Sequence, residues 1–185
     1  TTSLFAPSIP QRLAEEMSVE LYLQREGARQ LACSKGAATV ALVAKEIEFG
    51  TLSLTRTNAD PCDVKIDTSQ LAGIDADLVV RPFGWKGNHA TIRSFTRGAA
   101  HNELGLQATE LVGAQDGDYD GVINELSVGD VTALTLYMAA LERPVSTVEL
   151  AEFGIIDLTD VQSADIAAGK HLFATVGCSS CHVPS

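Results

Sequence analysis

Residues 38–67 read ATVALVAKEIEFGTLSLTRTNADPCDVKID, and the fold class turns on how much of this stretch is sheet. Three of its segments carry strand character. The first, ATVALVA (38–44), is short and apolar; the second, EIEFGTLSLTR (46–56), partly alternates apolar and polar residues around Gly50, which suggests a hairpin or a bulge. The third, CDVKID (62–67), follows the turn cluster TNADP. Outward from here, DADLVVRPF (75–83) is a further extended piece restricted by Pro82. Everything else with a clear period is helical. In IPQRLAEEMSVELYLQREGARQ (9–30), Leu13, Met17 and Leu21 recur at i, i+4, i+8, with Val19 and Leu23 widening the stripe. Met17 is read as core. Further helices are expected from 91 to about 102 and from 129 to 141, the latter with Pro144 beyond its end. A short turn of helix follows Ser146, with Glu149 in capping-box spacing. The expected fold is mainly α with a small β element.

The chain has 185 residues and a net charge of −11, enough for one ordinary core and the wrong sign for nucleic acid or an anionic membrane. No apolar run approaches the length of a membrane span.

The most reactive cluster lies at the end, in SADIAAGKHLFATVGCSSCHVPS (163–185). Ser163 reads as an N-cap, followed by Ile166, Ala167, Leu172 and Phe173 at helical spacing. Cys178, Cys181 and His182 then spell C-x-x-C-H. Two thiols at this spacing can each add to a haem vinyl group while the adjacent imidazole ligates the iron; this is the motif of covalent haem c. The alternatives are a redox dithiol, which wants a preceding strand, and half of a zinc site, which wants further ligands. Covalent haem attachment implies a periplasmic or exported bacterial protein. In such a compartment Cys33 and Cys62 can form a disulfide, the alternative being two buried thiols. A haem with only Val183, Pro184 and Ser185 after its histidine would have an uncovered face, so the remainder of a longer protein, or another chain, is expected to cover it.

A second cluster is acidic. In DGDYDGVINELSVGD (116–130), Asp116, Asp118 and Asp120 alternate before the turn at Gly121, as in the first half of a calcium loop, with the Val122 carbonyl as the next donor. Ser127 stands where such a loop closes on a bidentate glutamate, so Glu125 or Asp130 would supply the missing carboxylate. The alternative is a solvated turn whose acids favour the following helix N-terminus.

The remaining feature is RPFGWKGNHATIRSFTRGAAHNELGLQ (81–107), with the sole tryptophan, Trp85. A tryptophan among glycines is often a packing anchor. The order Phe83, Trp85, Gly87, Thr91, Ile92, Gly98, Glu103, Leu104 and Gly105, then Ala168, Gly169, Leu172, Phe173 and Cys178 to His182, resembles the bacterial di-haem cytochrome c peroxidases and related di-haem c-type oxidoreductases. The resemblance covers residues 80–185 well and 1–80 weakly. It departs from the family at Phe95, where many peroxidases carry a glutamine, and at Leu104, where methionine is usual.

That resemblance implies cytochrome c-like domains: residues 1–160 as part of one, with the Trp block and acidic loop, and 161–185 as the start of a second. It implies a second haem c attached outside this sequence. Trp85 would carry electrons between the haems and Glu103 would assist proton transfer. His182 would be the proximal ligand of the electron-accepting haem, supplied by a redox partner protein. The rival expectation is a non-catalytic electron-transfer cytochrome subunit.

Overall fold

The computed structural model describes residues 5–117 and 119–180. It divides into two compact units, Thr1–Glu142 and Arg143–Ser185. The sequence reading set its boundary later, between 160 and 161.

The first unit begins with α1 (Ser8–Lys35), which ends on Gly36 and runs directly into an antiparallel meander of β1 (Ala37–Ala44), β2 (Ile47–Ala59) and β3 (Cys62–Leu71) in the order β1-β2-β3. The expectation of a mainly α, cytochrome c-like chain with a minor β element is corrected here. The three segments of residues 38–67 are not separate scraps but one sheet, so the unit is mixed α/β, a long helix on one face of an antiparallel sheet. The physical reason is continuity of register: Ala37 pairs with Thr55 and Gly50 with Leu71, which puts Leu42, Ala44, Phe49, Leu52 and Leu54 on one buried face. Against that face α1 lays Met17, Leu21, Ala28 and Ala32, its alanines permitting close approach. Leu21 is fully buried, and its truncation to alanine costs about 2–5 kcal/mol. Met17, 5% exposed, belongs to this core as expected.

Two turns shape the meander. Lys45 and Glu46 connect β1 to β2 with φ of 48° and 66°, the left-handed pair that matches the twist of a two-residue hairpin. Lys45 reaches back to Glu20 at 2.8 Å and Glu16 at 3.4 Å, tying the turn to α1. Gly50, φ +80°, marks an irregular step toward β3, where a β-carbon would lie 2.1 Å from the Gln70 carbonyl oxygen. Cys33 and Cys62 are joined by a disulfide that ties the last turn of α1 to the start of β3. Residues 75–82, expected to be extended, form no strand; only Phe83 pairs, in an isolated bridge with His89.

Three helices complete the unit: α2 (Ile92–Leu104), α3 (Thr109–Val112) and α4 (Val128–Ala140). Arg93 joins them, its guanidinium bonding Glu110 at 3.0 Å, the Thr132 hydroxyl at 2.9 Å and the Val128 carbonyl at 3.4 Å. Gln11 of α1 accepts the first N–H of α2, from Ile92, at 2.7 Å.

The second unit holds α5 (Thr147–Glu152), α6 (Asp160–Thr175) and a 3₁₀ turn, Cys178–Ser180. The Ser146/Glu149 capping box is present. Glu149 also pairs with Arg143 at 2.6 Å, and these bonds hold its carboxyl down at about 2. The N-cap of α6 is Thr159, boxed with Gln162, rather than Ser163. Among the described residues no helix is long and apolar enough to cross a membrane.

Candidate functional site

The Trp85 turn is built on a closed base. Phe83 and His89 exchange backbone hydrogen bonds at 3.1 Å in both directions, pinching residues 84–88 into a tight loop. Lys86 at φ 61° and Gly87 at φ 69° carry the reversal, and a β-carbon at Gly87 would meet the Arg81 carbonyl oxygen at 2.6 Å. Below the loop, Phe83 is buried and its ring centroid lies 5.9 Å from that of Phe95 on α2. The His89 imidazole meets Phe95 edge-on at 6.0 Å, and its Nδ1 shares a hydrogen bond with the Ser94 hydroxyl at 2.8 Å. Burial, then repulsion from Arg97, pushes the His89 imidazole below its ordinary value. Trp85 itself points away from this cluster. It is 83% exposed, with the Lys86 ammonium 4.8 Å from its ring centroid. It is therefore no packing anchor; Phe83 fills that role.

Glu103 sits in the last turn of α2, exposed, beside Leu104 at 71% exposure. The helix stops on Gly105 in the left-handed conformation. The sequence features assigned to electron and proton handling thus flank α2, Trp85 ahead of its N-terminus and Glu103 at its C-terminus.

Gln107, which the sequence reading passed over, organises the acidic loop. It is 1% exposed; its N–H donates to Glu125 at 2.8 Å, its side-chain oxygen accepts from the Gly117 N–H at 2.8 Å, and its carbonyl accepts from Leu126 at 3.1 Å. Inside the loop Asp116 accepts from the N–H groups of Tyr119 at 2.7 Å and Gly121 at 3.0 Å, and Asp120 from Val122 at 2.7 Å. Asp118 lies outside the described residues. Of the two carboxylates expected to close a cation site, Asp130 is taken up by the capping box with Ser127 at the start of α4, and Glu125 holds Gln107. Among the described residues no three His, Cys, Asp or Glu side chains gather as a metal cluster.

In the second unit, α6 buries none of its residues. Leu172 and Val176 fall one turn apart and are 57% and 71% exposed, with Phe173 beside them at 36%. Directly after this apolar stripe, Gly177 (φ 87°) turns the chain and Cys178 presents a free, exposed thiol at the start of the 3₁₀ turn. Cys181 and His182 lie outside the described residues.

No family model, curated protein or solved structure matches this chain.

Proposed function

We propose that the chain is the haem-c-bearing part of a periplasmic, peroxidase-like oxidoreductase. Cys178 and Cys181 would hold the macrocycle by thioethers and His182 would ligate the iron. When bound, haem supplies one-electron redox chemistry, with the protein setting its ligation and access. The observation that carries the reading is the exposed apolar stripe of α6 ending on the free Cys178 thiol. Leu172 and Val176 would exclude water from one face of the ring. Glu103, exposed at the end of α2, would take the proton-transfer role, and Trp85 offers an indole face to whatever covers it. The remainder of the protein, with a second haem, or another chain would provide that cover, and a redox partner protein would deliver electrons. The loop from Asp116 to Val122 would bind Ca2+ in a structural role, with Asp118 and the Glu125 carboxylate oxygen not bonded to Gln107 completing the donors.

The test is expression alongside a haem c maturation system, followed by denaturing mass spectrometry of the peptide containing Cys178 and Cys181. A covalent increment of one haem, abolished in Cys178→Ala, supports the reading. An unmodified peptide with free or mutually oxidised thiols overturns it. Given a loaded protein, Glu103→Gln should keep full haem content but consume peroxide more slowly. Unchanged consumption would leave an electron-transfer cytochrome subunit instead.

A further inference from the structure

The two edges of the sheet are treated differently. Near its end the β1 edge meets its own helix: the side-chain amide of Gln24 donates to the Val43 carbonyl at 2.6 Å and accepts from the Val43 N–H at 3.0 Å, standing in for a neighbouring strand at that residue. The β3 edge has no such cover. Among the described residues, β2 is the one strand paired with β3, and no helix donates to or accepts from its main chain. Asp63, Lys65, Ile66, Asp67, Ser69 and Gln70 are all exposed along it. A long, open edge offers a row of unpaired N–H and C=O groups to another strand.

The side chains on this edge say which strand fits. We propose that β3 pairs antiparallel with β3 of a second copy about a two-fold axis at Ile66, joining two three-stranded sheets into one of six. In that register each residue faces its mirror position across 66. Lys65 therefore stands opposite Asp67 of the second copy, and Asp67 opposite its Lys65, on the outer face; two cross-strand ion pairs form. On the inner face, Ile66 meets Ile66 and Val64 meets Thr68, β-branched residues suited to a half-buried sheet surface. Ile66, 39% exposed in the single chain, gains cover. Neighbouring registers lose this match: an axis at Lys65 would set lysine against lysine and Asp63 against Asp67. Asp67 already keeps its carboxyl ionised, accepting from the Ser69 N–H at 2.9 Å, so its charge is in place for the pair. The contact between 64 and 68 is short because the register with β2 shifts beyond Asp67, which makes the association weak and reversible rather than obligate.

Sedimentation velocity on the full chain over about 1–300 μM tests this. A concentration-dependent monomer–dimer equilibrium is expected. Lys65→Glu, which sets two like-charge pairs across the axis, should weaken the dimer about tenfold, and Asp67→Lys should do the same. The exchanged double variant, Lys65→Asp with Asp67→Lys, should restore the wild-type constant. Far-UV circular dichroism confirms that each variant keeps its sheet. A monomer throughout the range overturns the proposal, as does a dimer indifferent to Lys65→Glu or a double variant no better than its singles.

Discussion

The His89 imidazole stands where a β-carbon on Gly98 would be: its Cε1 lies 2.9 Å and its Nε2 3.2 Å from that position. The glycine of α2 is thus a slot for the ring whose backbone closes the base of the Trp85 loop. Its negative φ would accept alanine, so the constraint is steric and comes from one side chain.

Gly98→Ala should therefore destabilise the first unit by about 1 kcal/mol, crowding of about 1–3 kcal/mol outweighing a helix-propensity gain of about 1. Trp85 fluorescence should shift with it, because His89 carries the loop. In a His89→Ala background the same substitution should become stabilising. Chemical denaturation of the four proteins in this cycle checks the change of sign.

His89 also sets a pH dependence. Its folded-state pKa lies below the ordinary 6.5, because burial and then Arg97 disfavour the imidazolium. As pH falls through that ordinary value, the unfolded chain gains a proton that the folded chain resists. Stability from this group is complete above the unfolded pKa and declines below it until the folded pKa is reached. His89→Asn should flatten the loss of stability measured between about pH 7.5 and pH 5.5.

Glu46 occupies a left-handed position, φ 66°, in the β1–β2 turn and makes no ion pair among the described residues. Glu46→Gly should stabilise by roughly 0.5–1 kcal/mol, since glycine adopts this conformation without a β-carbon clash. Lys45→Gly should gain less, because it gives up the bonds to Glu16 and Glu20. Paired urea titrations separate the two.

Ca2+ should raise the melting temperature by about 4 °C or more at saturating concentration, reversed by a chelator. Asp120→Asn should abolish the rise, whereas Asp130→Asn should lower stability with and without Ca2+, since Asp130 serves the α4 cap. A melting temperature that ignores Ca2+ would leave the loop as a turn held by Gln107.

Local chemistry was legible from the residues in order. The Ser146/Glu149 box and the strand segments around Gly50 each depend on neighbours a few positions away, and each is found. The expected stripe of α1 is found in part: Met17 and Leu21 are buried, but Leu13, Val19 and Leu23 are exposed, and Ala14, Ala28 and Ala32 complete the buried face. The Cys33–Cys62 partners were legible as well, since these two lie apart from the C-x-x-C-H pair. Where competing local signals were close, the reading slipped: Ser163 looks like a cap, but Thr159 with Gln162 starts α6 one turn earlier.

What the sequence by itself determined is the helices α1, α2 and α4, the Ser146/Glu149 cap, the strand segments within 38–67 and the C-x-x-C-H spacing. Only the tertiary structure decided that residues 37–71 are a single sheet and not a minor element, because strand pairing joins residues such as Ala37 and Thr55 that local periodicity does not connect. It also decided where individual side chains went: Gln107 became the buried hub of the acidic loop, Gln24 met the main chain of Val43, and Trp85 turned outward while Phe83 turned in. For Gln107 the reason is that a buried donor or acceptor must be satisfied by whatever the packed fold brings within about 3 Å, and its partners Gly117, Glu125 and Leu126 are brought there by the packing of another segment, not by its own place in the chain.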